Sequence, residues 1–477
     1  MHTPPITGQN GIVVTDAAEA TRVGVEVLRA GGNAVDAAVA AAFALAVVYP
    51  EAGNIGGGGF MIVHGAGGTV GALDFRETAP GLASRDMFLG EDGEVTEHSV
   101  TGHLASGVPG SVAGLWQAHQ RFGRLPWTEL VAPAIRLAAN GFPVDARFAA
   151  SVRAQQRRLE RFRASAALFL PGGRPLVEGE TWRNPELAAV LERVAERGEA
   201  GFYEGETAEL IVAEMRRNGG LISHDDLASY RAVWREPVTF TYRDHTIVSM
   251  PPPSSGGVTL AMIANQLQAY ELAGHGWNSA TTMHLMTEAM RRAFADRNAY
   301  LADPDFSPVP TERLVSADHA AARRASISPD RATPSEVVTP AGAPGGPPEG
   351  NNTTHIVVAD SSGTVVSLTT TINGLYGSGV TVTGAGFVLN NEMDDFTAKP
   401  GAPNMFGLIQ GEMNVIEPGK RMLSAMTPTI VLAPDGRPLI ATGARGGPRI
   451  ITAVFQVLSN LIDHGMDPGT AVAAPRI

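Results

Sequence analysis

The feature that most restricts how this chain can fold is a run of thirteen consecutive apolar residues, Ala37 to Tyr49. At 1.5 Å per residue such a helix reaches only about 20 Å, short of the ~30 Å hydrocarbon core of a bilayer. Being apolar on every face, it reads as a helix enclosed by protein. That demands a large core, and a 477-residue chain with 44% hydrophobic residues can build one. Asn33 is placed to cap this helix and Tyr49-Pro50 to end it, while an earlier helical pattern, Asp16 to Ala30, stops at Gly31-Gly32.

After this helix pair, Gly56-Gly57-Gly58-Gly59 signals close backbone approach or a tight bend. Phe60–His64 and Val70–Phe75 read as paired buried strands. Residues 110–230 are mostly helical in pattern, with a capped start at Ser223. Val238 to Met250 predicts a hairpin, Pro251 to Gly257 a rigid turn, and Leu260–Tyr270 and Thr281–Leu301 two helices. Four prolines and four glycines crowd into residues 339–350, and beyond them the pattern turns β-rich, at His355–Ala359, Val365–Thr371, Phe387–Leu389, Thr429–Ala433 and Leu439–Thr442. Pro434-Asp435-Gly436-Arg437 reads as a turn between the last two. Helices enclosing strands on both sides of the Gly/Pro stretch predict a layered α/β protein of one large domain, the stretch being a processing or surface loop. An interdomain linker is the competing reading.

The chain has no cysteine, which excludes thiol nucleophiles, thiolate zinc sites and iron–sulfur clusters. A formal charge of −12, without a run of five like charges, argues against nucleic-acid or anionic-membrane partners. Residues 1–30 carry no secretory signal pattern, which predicts a cytoplasmic location for the chain as it stands, or a periplasmic or secreted one if a signal has been removed. His284 and Glu288, one turn apart, read as a surface helix pair, and no catalytic metal or cofactor is expected. Gly56–Gly59 lacks the pattern of a phosphate loop, and Ser111 and Ser254 do not sit in a nucleophile elbow. Thr353 stands apart, a hydroxyl residue where the Gly/Pro stretch enters a buried strand. If the Asn352–Thr353 bond were cut, the free α-amine of Thr353, with a pKa of roughly 7.7–8.0, would act as base to its own hydroxyl. The remaining parts of such a site are also at hand: hydroxyls and an amide at Thr369 to Asn373, backbone N–H groups at Gly443 to Gly447, and acids at Asn390 to Asp395.

These segments, together with Gly31 to Ala38, Asp74-Phe75-Arg76-Glu77, Lys420 to Ser424 and Gly446-Gly447, resemble the γ-glutamyltransferase family of N-terminal-nucleophile hydrolases from about Gly11 to Ile477. The resemblance implies an α/β (α+β) fold, a four-layer αββα sandwich, in a proenzyme that cuts itself between Asn352 and Thr353. Residues 1–352 and 353–477 would then be the large and small subunits of a heterodimer. It further implies that Thr353 attacks a small-molecule γ-glutamyl donor such as glutathione, that water, an amino acid or a peptide takes the acyl group, and that Thr371 orients the nucleophile. Gly446 and Gly447 would stabilise the oxyanion, a contribution of about 3–4 kcal/mol per donor. Arg76 and Ser424 match positions that hold the substrate α-carboxylate, and Asn373, Glu392 and Asp395 those that hold the α-ammonium. Phe406, within Pro400 to Glu417, matches a lid.

The sequence departs from the family pattern where Ser424-Ala425 replaces a usual pair of serines, and it ends at Ala474 to Ile477, where the family continues with further strands and a helix. Ala425 keeps open a related amidohydrolase of the cephalosporin acylase or oxamate amidohydrolase type. An unprocessed ligand-binding pseudoenzyme is the non-catalytic alternative. Taken singly, Arg76-Glu77 also reads as a surface ion pair and Asp394-Asp395 as a helix or turn cap.

Overall fold

The computed structural model describes residues 5–338 and 353–477. The Gly/Pro stretch 339–350 and Asn352, read above as loop and cleavage point, lie outside the described residues. The strands are β1 (Gly11–Val14), β2 (Gly58–His64), β3 (Val70–Phe75), β4 (Phe142–Pro143), β5 (Thr181–Trp182), β6 (Val233–Arg235), β7 (Val238–Tyr242), β8 (His245–Ser249), β9 (Thr353–Asp360), β10 (Val365–Thr371), β11 (Thr429–Leu432) and β12 (Pro438–Thr442). Two antiparallel sheets dominate, a six-stranded one in the order β1-β9-β10-β2-β3-β6 and a four-stranded one in the order β12-β11-β8-β7.

Strand periodicity sorts the residues of the large sheet into two cores. Ile356 and Val358 of β9, Val366 and Leu368 of β10, and Met61 and Val63 of β2 join the core under the helix Ala34–Val48. The alternate residues Phe60, Ile62 and Val365 face the small sheet, in a second core with Val248, Ile430 and the helices Gly256–Leu267 and Arg449–Ile462. Helices therefore lie outside both sheets, giving four layers in the order αββα. Because β9 sits between β1 and β10, the segments before and after the Gly/Pro stretch share one sheet.

All of Ala34–Val48 is buried, and its alanines allow close packing beneath β9 and β10. Burial makes its four orphan N–H groups a problem, which Asn33 addresses: its side chain accepts from Val35 N at 2.9 Å and Asp36 N at 3.0 Å. Asp36 returns the bond to Asn33 N and also accepts from Leu125 N, tying the helix start to the following layer. No helix among the described residues is long and apolar enough to cross a membrane.

Two segments differ from expectation. Phe387–Leu389 is buried but forms only an isolated bridge, Thr381 to Val388, because the preceding stretch turns repeatedly at Gly377, Gly379, Gly384 and Gly386, all with positive φ. The turn after β8 is also shorter than predicted, since Gly256 and Gly257 already begin the next helix; a Cβ on Gly257 would lie 2.4 Å from the Met250 carbonyl oxygen.

Asn33→Ala removes an acceptor for two buried N–H groups and a donor to the Phe122 carbonyl. It is expected to cost about 1–2 kcal/mol, read as a lowered denaturant midpoint with an unchanged slope.

Candidate active site

Thr353 opens β9 and Thr371 closes β10, and the antiparallel register sets them opposite each other. Both lie on the face toward the small sheet, because they share strand parity with His355 and Val365. The Thr353 hydroxyl donates to Thr371 Oγ1 at 3.5 Å, and Thr371 Oγ1 accepts the Asn373 N–H at 2.9 Å. Next along the same face, His355 Nδ1 meets Thr369 Oγ1 at 2.9 Å, and burial pushes this imidazole down to about 3, so it is neutral in the folded protein.

Arg76 follows directly on β3 and is buried. Its Nη1 donates to Glu392 Oε2 at 2.5 Å, its Nη2 to Asp395 Oδ2 at 2.5 Å, and its Nε to the Met422 carbonyl at 3.2 Å. Burial disfavours the cation, but Glu392, Asp395 and Glu77 outweigh it and hold the guanidinium protonated. Glu77 is buried too, 3.6 Å from Arg76 Nη1, so this pair is not on the surface. Among the described residues neither Glu77 oxygen has a hydrogen-bond partner, nor does Glu392 Oε1. Burial raises Glu77 to about 7 and raises Glu392 and Asp395 as well, against the pull of Arg76.

The two acids stand on a 3₁₀ turn, Glu392–Asp395, that the preceding asparagines fix in place. Asn390 bonds the carbonyls of Gly56 and Gly107 and accepts from Gly107 N; Asn391 accepts from Gly374 N, and the Asn391 carbonyl accepts from Asn373 Nδ2. Asp394 caps a loop: it accepts the Met405 N–H at 2.9 Å, while Asn404 Nδ2 donates to Asp395 Oδ1 at 3.2 Å. The loop lays the Phe406 ring on Gly447, where a Cβ would come within 3.0 Å of it. Gly446 and Gly447 have φ of 116° and 55°, and no acceptor among the described residues pairs with their N–H groups. The N-terminus of the helix Arg449–Ile462, with its partial positive charge, begins just beyond.

Arg76, Thr353, Thr371, Asn373, Glu392, Asp395, Phe406, Ser424, Ala425 and Gly447 line one narrow cleft, with Gly446 alongside. Ser424 is held by its N–H to the Pro253 carbonyl at 2.9 Å, and its carbonyl accepts from Ser255. The cleft also has members that sequence reasoning did not single out. Arg297 enters from the end of the helix Ala280–Tyr300, bonded to Ser255 Oγ at 3.0 Å, and Leu408, Leu423, Met426, Pro448 and Ile450 form an apolar wall. Only an arginine on the buried face of that helix marked Arg297 in advance; the wall comes from three separate segments, with no local signal. His284 bonds the Ser328 carbonyl, and Glu288 is buried against Arg291 and Arg292, so the two are not the surface pair expected. No group of three metal-ligating side chains occurs among the described residues.

The family model for gamma-glutamyltranspeptidase matches residues 20–477. The chain belongs to the γ-glutamyltranspeptidase family. It is 45% identical, over 99% of its length and 81% of the relative's, to the glutathione hydrolase proenzyme of Escherichia coli. Among solved structures it resembles the cephalosporin acylase from Bacillus halodurans, with TM-score 0.86 at 29% identity over 99% of this chain and 85% of that one. It also resembles the Helicobacter pylori gamma-glutamyltranspeptidase, with TM-score 0.70 at 42% identity over 71% of this chain and 97% of that one. The αββα layering of the γ-glutamyltranspeptidase family is thus the architecture described above, and the family assignment makes this chain an enzyme of the self-processing γ-glutamyltransferase type.

The buried Glu77 gives this site a pH signature. Folded, it keeps its proton to about 7, whereas unfolded it releases it near the ordinary 4.5, so its contribution to stability falls as pH rises through that window, by up to about 1.4 kcal/mol per pH unit. Glu77→Gln should therefore flatten the plot of melting temperature against pH between 4.5 and 7. Parallel plots for the two proteins would mean that Glu77 is ionised in the fold.

Proposed function

We propose that Thr353 is the nucleophile of a γ-glutamyl hydrolase and transferase that matures by cutting its own chain before that residue. The Thr353 hydroxyl attacks the Asn352 carbonyl, the acyl group moves from nitrogen to oxygen and so frees the Thr353 α-amine, and water hydrolyses the ester, releasing the Thr353 hydroxyl and an Asn352 carboxylate. Residues 1–352 and 353–477 then persist as two chains of one domain. In turnover the α-amine takes the hydroxyl proton as Thr353 attacks the γ-carbonyl. The proton passes to the departing amine, and water or an amino acid or peptide amine resolves the acyl-enzyme. Thr371 orients the hydroxyl, and the unpaired N–H groups of Gly446 and Gly447 receive the oxyanion.

The observation that carries this reading is the charge pattern around Arg76. One guanidinium already saturated by Glu392 and Asp395, with Glu77 behind it, suits an incoming zwitterion: the substrate α-carboxylate takes Arg76 and Ser424, and its ammonium takes Asp395, Glu392 and the Asn373 side chain. Substrate thus exchanges one set of ion pairs for another and leaves no buried charge alone. A simple acyl group without the ammonium would leave the acids unpaired, which weighs against the acylase-type alternative. Glutathione is the donor we favour, on the names of the 45%-identical relatives.

Purified protein is expected to run as two fragments, the smaller starting at Thr353, and Thr353→Ala to stay whole and inactive. An intact wild-type chain after long incubation would refute the processing step. A γ-glutamyl anilide should turn over on the order of 100-fold faster than the glutaryl analogue lacking the α-amine. Ala425→Ser, by offering the carboxylate a second hydroxyl, should lower KM about 2- to 10-fold with little change in kcat.

A further inference from the structure

We propose that Asp16, Arg445 and Tyr49 form a clasp that positions the Gly446-Gly447 turn against the nucleophile strand, an inference that rests on the roles given above to that turn and to Thr353. Two successive glycines with positive φ are the least constrained backbone a chain can offer, yet oxyanion donors act only when fixed in place beforehand. Downstream, Pro448 and the helix Arg449–Ile462 anchor the turn. Upstream, β12 ends at Thr442, leaving Gly443, Ala444 and Arg445 to reach it.

Each residue of that limb has a contact, Ala444 with the second core. Gly443 presses so closely on the His355 ring that a Cβ would lie 2.2 Å from it. Arg445, immediately before the glycines, donates to the Tyr49 hydroxyl at 2.8 Å and lies 3.4 Å from Asp16 Oδ1. The other oxygen of Asp16 accepts the hydroxyl of Thr354, the residue next to the nucleophile, at 2.7 Å. Asp16 therefore binds the neighbour of Thr353 with one oxygen and the neighbour of Gly446 with the other. Tyr49 supplies a rigid third point, since it is the buried end of the helix Ala34–Val48, with Arg147 stacked on its ring at 4.1 Å. None of the three lines the cleft, so they are positioning residues.

The clasp makes one pattern of effects. Arg445→Met and Asp16→Asn should each lower kcat for a γ-glutamyl anilide about tenfold per processed chain, with KM within twofold and melting temperature unchanged. The double variant should lose no more than the worse single one, and Arg445→Lys should recover part of the rate. Hydrogen exchange of residues 443–447 should quicken in Arg445→Met. An unchanged kcat, a KM that rises in step with the loss, losses that multiply in the double variant, or unchanged exchange would each overturn the clasp. If wild-type protein turns over no γ-glutamyl amide, the functional reading fails instead, and the exchange measurement still decides whether Arg445 orders the turn.

Discussion

The antiparallel register of β9 on β10 is the constraint on which the rest of this molecule depends. Side chains alternate across a strand, so a slip of one residue would turn Thr353 from the inter-sheet face into the core beneath the Ala34–Val48 helix, and would put Ile356 and Val358 where polar groups now meet. The register is pinned from both sides: β1 pairs with β9 from Gly11 to Val14, and β2 pairs with β10 along its whole length. The apolar helix below enforces it further, because only one alternation presents Ile356, Val358, Val366 and Leu368 to it. The unusual helix at the start of the sequence and the threonine 300 residues later are thus two sides of a single packing requirement.

The charge cluster obeys a different logic. Burying Arg76 with Glu77, Glu392 and Asp395 desolvates four ionisable groups, and such arrangements rarely stabilise a fold more than apolar residues of the same size. Its oxygens are also incompletely hydrogen-bonded, which a purely structural network would not leave so. Of the unmet acceptors, Glu392 Oε1 belongs to a residue that lines the cleft. The cost to stability and the zwitterion binding proposed for this cluster would then have one physical origin.

Much of this was legible in the sequence because the signals were local. Asn33 before an alanine-rich run is a cap on any fold, and Pro434-Asp435-Gly436-Arg437 makes the same turn wherever it occurs. The family motifs around Arg76, Thr353, Glu392 and Ser424 identified parts of one cleft, though periodicity alone could not have shown that they converge. What escaped was whatever depends on the third dimension. Phe387–Leu389 has strand composition, but the positive-φ glycines before it deny it a ladder partner. Arg297 reads as a helix residue until the helix is docked. Glu77 looked like half of an exposed pair, because burial of a charged residue leaves no mark in composition.

The lid links the two halves of the recognition problem. Asn404 donates to Asp395, Met405 to Asp394, and Phe406 covers Gly447, so one loop touches both the acids and the turn at the far side of the cleft. An ammonium bound at Asp395, as proposed, would change the charge seen by Asn404 and hence the footing of the loop that carries Phe406 over the glycines. In the proposed function, recognition of the α-amino group and enclosure of the reacting carbonyl would be coupled through three consecutive residues, 404–406. Enclosure matters because hydrogen bonds from Gly446 and Gly447 gain strength as water is excluded around them. On the function proposed above, the specificity of the site for an amino-acid end group and its stabilisation of a negative oxygen would draw on the same loop, and a substrate lacking the ammonium would forgo part of both.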